Sequence, residues 1–210
     1  MNSMLNHCEA IIFDLDGTLW DSSHQIVHVW NRVFARHPGL RAPATAEEVA
    51  GYMGKTPEEI AVLMLPNVTT ERALQIMEEC SEEECVYLAE HGGRLYGDVR
   101  MVLERLKQTH RLFIVSNCQS GYVQAFLKHH QLEDLLEDFE MSGRTGQPKA
   151  ENIRLIMKRN HIASAVYVGD TEGDETAARG AGIPFIYAAY GFGKAKKPDG
   201  VIDSLGELIR

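Results

Sequence analysis

Four short apolar runs constrain this chain more than any other feature: EAIIFDL at 9–15, RLFIVSN at 111–117, AVYVGD at 165–170 and PFIYAAY at 184–190. They are largely apolar, without strict polar alternation. Such runs read as strands buried on both faces, the kind found in parallel sheets. Between them the pattern changes, and helical stretches are predicted over 99–108, 121–130, 150–160 and 172–181. Strands alternating with helices predict an α/β fold, a parallel sheet covered by helices on both faces. Residues 139–142 read as a short extra strand.

The alternation is interrupted once, directly after the first run. Ile26, Val27, Trp30, Val33 and Phe34 fall on one face of a helix over 24–34. Thr45 with Glu48 and Thr56 with Glu59 have capping-box spacing, and Pro57 follows Thr56 at a first helical position. A longer helix is predicted over about 69–90. No strand signal occurs between residues 22 and 92. The expected organisation is therefore a Rossmann-like core of residues 1–21 and 93–210, with an inserted all-helical subdomain at 22–92.

Polar residues gather where these strands end. Asp14 and Asp16 close the first run, with Gly17 behind them. Ser116 and Asn117 close the second, Asp170 closes the third, and Asp174 follows one helical turn later. Lys149 opens the helix leading into the third strand. In open parallel sheets, ligands bind outside the carboxyl ends of the strands, so these groups would converge on one rim. Buried carboxylates at such a rim need a cation, a cluster of donors, or a chemical role. A set of oxygen ligands alone points to magnesium, which also holds substrate phosphate.

Composition narrows the partners. The net charge is −9, which argues against a phosphate-neutralising nucleic-acid face and would repel an anionic substrate unless a local cation inverts the field. No apolar stretch approaches the roughly 20 residues that span a bilayer, and the first residues lack a basic, signal-like start. Cys8, Cys80, Cys85 and Cys118 match no zinc pattern. They read as reduced thiols of a cytoplasmic protein that binds neither membrane nor nucleic acid.

Taken together, DLDGT at 14–18, VSN at 115–117, Lys149 in GQPKAEN and GDTEGD at 169–174 resemble the four ordered motifs of the haloacid dehalogenase superfamily. The similarity is to its phosphatases with a helical cap inserted after the first motif, near the phosphoglycolate phosphatase and β-phosphoglucomutase branch. It implies a Mg2+-dependent phosphatase acting on a small phosphorylated metabolite. Asp14 is then the nucleophile that forms an aspartyl-phosphate, and Asp16 the general acid and base. Asp14, the backbone carbonyl of Asp16, and Asp170 hold the metal, with Asp174 as ligand or orienter. Thr18, Ser116, Asn117 and Lys149 serve the phosphoryl group. An acid at position 16 favours phosphoester chemistry over dehalogenation. A phosphosugar mutase of the same branch and a receiver-like phosphoacceptor switch are the alternatives.

Other features carry weaker signals. Lys55, in the turn GYMGK, is either a substrate-binding group of the cap or a solvated turn lysine. His24 and His28 have a metal-compatible spacing but no visible third ligand. Met53, Met64 and Met77 read as packing, Lys194 to Lys197 as a solvated loop, and the glutamates between 78 and 84 as a solvated helix face.

Overall fold

The structure, a computed structural model, describes residues 2–209. In chain order these form α1 (Asn2–Leu5), β1 (Ala10–Phe13), β2 (Trp20–Asp21), α2 (Ser23–Ala35), α3 (Ala46–Ala50), α4 (Pro57–Met64), α5 (Thr70–His91), β3 (Arg94–Leu95), α6 (Val99–Leu106), β4 (Arg111–Ser116), α7 (Tyr122–His130), β5 (Asp138–Met141), α8 (Ser142–Thr145), α9 (Lys149–Arg159), β6 (Ala165–Gly169), α10 (Glu172–Ala181), β7 (Phe185–Ala188) and β8 (Gly200–Ile202). A 3-10 turn, Leu205–Ile209, follows.

Six strands form one sheet in the order β5-β4-β1-β6-β7-β8, and every neighbouring pair is parallel. β1 lies near the centre, with Ile12 opposite both Phe113 of β4 and Tyr167 of β6. Because side chains alternate along a strand, the sheet divides the core in two. Ile11, Phe13, Leu112, Ile114, Val166 and Val168 join the larger cluster with residues of α6 and α7. Ala10, Ile12, Phe113, Val115 and Tyr167 pack against Ile153 and Ile156 of α9 and Ala177 and Ala178 of α10. Burial on both sides explains why the strand runs lack polar alternation.

Helices α2 to α5 form a block between β2 and β3. α2 and α4 pack on α5, and α5 also lies against α7 of the core. Full burial of Ile26, Trp30, Val33 and Phe34 matches the predicted apolar face of α2. Thr56 and Glu59 make the complete capping box. The box expected at Thr45 is only half made. The Thr45 hydroxyl accepts from the Glu48 amide, but the Glu48 carboxylate is held by Arg41 at 2.7 and 2.9 Å instead of reaching back.

Three strands had no sequence signal. β2 and β3 pair antiparallel over two residues each, where the chain enters and leaves the helical block. The edge strand β8 has only three residues. The extra strand expected at 139–142 is present as β5. All four cysteines are free. No helix among the described residues is long and apolar enough to cross a membrane.

Phe113 lies fully buried at the heart of the smaller cluster. Phe113→Ala is expected to lower unfolding stability by about 3–5 kcal/mol, the usual cost of an aromatic-sized cavity, as measured by urea denaturation.

Candidate active site

The carboxyl ends of β1, β4 and β6 are adjacent, because β1 lies between the other two. Chain connections leave β1 and return on its opposite sides, which opens a crevice at this switch point. Asp14 follows β1, Ser116 ends β4, and Asp170 follows β6. Gly17 has φ +78°, and a Cβ there would collide with the Asp170 carboxylate. Glycine at this position lets the first loop close over the acids.

Lys149, the first residue of α9, reaches into the crevice and is 6% exposed. Its Nζ lies 3.0 Å from Asp14 Oδ1 and 2.6 Å from Asp174 Oδ1. The second Asp174 oxygen accepts from the Thr171 hydroxyl at 2.7 Å and from the amides of Thr171 and Asp170 at 2.9 and 3.2 Å. Asp174 thus caps α10 with one oxygen and grips Lys149 with the other. Asp170 is fixed through Oδ2, which accepts from the Phe192 and Gly193 amides at 2.7 and 3.1 Å.

Two carboxylate oxygens are left over. Asp14 Oδ2 and Asp170 Oδ1 are buried without a hydrogen-bond partner among the described residues. Asp14, Asp170 and Asp174 each offer an oxygen within 4.8 Å of the others. Burial pushes the Asp14 carboxyl well above its usual range, reinforced by Asp174 and opposed by Lys149. Burial, with Asp174 adding, raises Asp170 to about 7. Burial alone would favour a neutral Lys149, but Asp14 and Asp174 outweigh it and hold the ammonium charged. One ammonium therefore faces three carboxyls. The unsatisfied oxygens and the oxygen-only donor set fit a hard divalent cation.

Asp16 turns the other way. Its Oδ1 accepts from the Ser22 hydroxyl at 2.9 Å and the Tyr122 hydroxyl at 2.8 Å, and those two hydroxyls are 2.6 Å apart. Burial lifts the Asp16 carboxyl to about 6, with Tyr122 and Ser22 pulling it back down.

Above the acids lies a cavity of about 40 Å3 between the helical block and the sheet. By the measure of about 10–15 Å3 per water, it holds only a few waters. Asp14, Asp16, Ser116, Asn117 and Lys55 all border it, so five of the expected site residues meet there, while Lys149, Asp170 and Asp174 gather beside Asp14. Asp14 belongs to both groups. Asn117 is committed to structure: its amide donates to the Gly54 carbonyl at 2.8 Å and accepts from the Ser142 hydroxyl at 3.0 Å. It clasps the turn that carries Lys55, whose side chain is exposed at the cavity's edge.

Thr18 is fully buried and, like Lys149, Asp170 and Asp174, does not border the cavity; the amides of Thr18 and Leu19 bond back to the Leu15 carbonyl, and the Thr18 hydroxyl has no partner among the described residues. The glutamate run is also not uniformly solvated. Glu84 is 3% exposed, borders the cavity, and accepts from Trp30 Nε1 at 2.6 Å and Gln119 Nε2 at 2.8 Å. His24 and His28 are exposed on α2. Met64 and Met77 are buried as expected, and Met53 and Met77 line the cavity. The sequence reading missed Ser22, Tyr122, Gln119 and the 191–193 loop. For the loop a signal existed, since Gly191 and Gly193 both stand where a Cβ would strike Asp170 or its backbone.

The comparisons with known proteins agree with this geometry. The sequence profile of haloacid dehalogenase-like hydrolases matches residues 11–188. A plasmid-borne phosphoglycolate phosphatase of Cupriavidus necator is 29% identical, covering 96% of this chain and 91% of its own length. The phosphoglycolate phosphatase of Vibrio parahaemolyticus is 27% identical, covering 96% and 94%. A haloacid dehalogenase-like hydrolase from Bacteroides fragilis has a solved structure that matches with a TM-score of 0.84 at 27% identity, covering 96% of this chain and all of that one. With the motif residues gathered around one crevice and the profile spanning most of its length, the chain belongs to the haloacid dehalogenase-like hydrolases, and it is similar over nearly its whole length to phosphoglycolate phosphatases.

Proposed function

We propose that this protein is a magnesium-dependent phosphomonoesterase that hydrolyses a small phosphorylated metabolite through an aspartyl-phosphate on Asp14. One observation carries the reading: a buried carboxylate held by Lys149 on one oxygen, its other oxygen without a partner among the described residues, in a cluster with Asp170 and Asp174 close enough to hold a divalent cation. The names of the Cupriavidus and Vibrio relatives support the same reaction class.

Asp14, the Asp16 carbonyl and Asp170 would hold magnesium. Asp174, with both oxygens already bonded within the protein, orients Lys149 and the start of α10. When bound, the ion offsets the negative charge of the acids and of the phosphoryl oxygens, which otherwise repel an anionic nucleophile.

The remaining steps belong to side chains. Asp14 forms a bond to phosphorus as the bond to the leaving oxygen breaks, and Asp16 gives that oxygen its proton. A water then attacks phosphorus while Asp16 takes its proton, which frees Asp14 and releases phosphate. A carboxyl near pKa 6 suits both duties, because neither charge state is strongly favoured near neutrality. Tyr122 and Ser22 fix its direction. Lys149 balances charge on Asp14, and Ser116 donates to the phosphoryl group. Helices α2–α5 act as a cap that would move aside to admit substrate, since the cavity beneath it holds only a few waters.

Three outcomes test this reading. Asp14→Asn should lower phosphate release from an aryl phosphate by at least about a thousandfold, and activity near wild type would remove the assigned nucleophile. Asp16→Asn should cost about a hundredfold, more for alkyl than for aryl esters because a phenolate needs less protonation. It should also accumulate phosphoenzyme, seen by acid-quench labelling. Chelation of divalent ions should abolish turnover, with magnesium restoring it and raising the melting temperature; a metal-independent rate would exclude the cofactor.

A further inference from the structure

Glu84 takes no part in the chemistry just described, yet it is built into the cavity wall. It projects from α5 in the helical block and is held from two sides, by the Trp30 indole of α2 and by the Gln119 amide on the core loop that follows β4. Each carboxylate oxygen has a second acceptor site. No lysine, arginine or histidine among the described residues makes an ion pair or hydrogen bond with it. Ile26, Met53, Ile60 and Met77 supply apolar wall around it. Lys55, exposed at the edge, is the one basic side chain among the described residues lining the cavity, since Lys149 is committed to Asp14 and Asp174 beside it.

Resting on the phosphatase reading, we propose that Glu84 is a specificity-determining residue that accepts a hydrogen-bond donor on the leaving group, a hydroxyl or an ammonium, and disfavours a leaving group that carries a carboxylate. Geometry directs this role. Asp16, the proton donor to the leaving oxygen, borders the same cavity, so the departing alcohol occupies the space that Glu84 faces. A donor there completes the unused acceptor capacity of a buried carboxyl. A carboxylate there must leave water for an apolar wall that offers it no buried countercharge, beside a carboxyl whose own ionisation it opposes. The Lys55 ammonium sits in solvent, where screening weakens its compensation.

The state of Glu84 is consistent with a group that awaits such a partner. Burial raises its carboxyl to about 8, the bonds from Gln119 and Trp30 lower it in part, and Asp16 nearby raises it. A hydroxyl can donate to this carboxyl in either charge state, and an incoming ammonium would favour its charged form.

A same-length series of substrates tests the proposal: 2-hydroxyethyl phosphate, 2-aminoethyl phosphate and phosphoglycolate, each compared by kcat/KM in the unmodified enzyme with magnesium. At least one donor-bearing ester should exceed phosphoglycolate by about tenfold or more, and which one does so separates a hydroxyl from an ammonium partner. Glu84→Gln, with folding checked by circular dichroism, should shrink that ratio by about tenfold, chiefly by improving phosphoglycolate. Preference for phosphoglycolate in the unmodified enzyme, or a ratio unmoved by the substitution, would overturn the assignment. An aryl phosphate run in parallel keeps the two readings apart. Its hydrolysis together with a preference for phosphoglycolate refutes only the role of Glu84, whereas no release from any ester refutes the phosphatase reading and this one with it.

Discussion

A single buried ammonium makes the crevice possible. Lys149 bridges carboxylates from the turn after β1 and from α10, which approach from different parts of the chain. Without it, Asp14, Asp170 and Asp174 would place three acids in a site almost closed to water, and burial would drive them to neutrality. One positive charge is too few for three, and the two unsatisfied oxygens show where the deficit lies. The cluster therefore has an affinity for a cation built into its charge balance. On the proposed reading, a phosphoryl group, itself anionic, would approach only once that balance is reached.

The helical block and the core meet through polar ties as well as apolar packing. Asn117 clasps Gly54, and Gln119 clasps Glu84. Both belong to the loop directly after Ser116, so the stretch that carries this cavity-lining serine also supplies two tethers to the block. The cap movement proposed above would have to break these bonds and re-form them. Tyr122 extends the arrangement from the next helix, where its hydroxyl holds Asp16. Chamber closure and acid placement thus depend on one short stretch of chain.

How much of this was legible in sequence follows from how local each signal is. Buried parallel strands announce themselves by uninterrupted apolar runs, and acids at their ends stand out because aspartate is unfavourable there. β1, β4 and β6 with Asp14, Ser116 and Asp170 were therefore readable, as was the helical interruption. β2, β3 and β8 were not, since two or three residues carry no periodicity. Thr18 sat beside the right residues and is folded inward by bonds to Leu15. Glu84 was misread because a run of glutamates on a helix is ordinarily solvated, and its burial depends on Trp30 and Gln119, which lie far from it in sequence. The amides that fix Asp170 come from Phe192 and Gly193, and backbone donors have no residue type to betray them.

The pairing of Trp20 with Leu95 has a wider consequence. Because the chain departs for the helices and returns from them at adjacent residues, everything between is an insertion that leaves the order of the six-stranded sheet intact. A bundle of another length or shape could leave from that two-residue ladder without reordering a strand, provided a hydroxyl still stood where Ser22 holds Asp16. On the proposed reading, substrate choice could then vary with the insertion while the acids stay with the sheet.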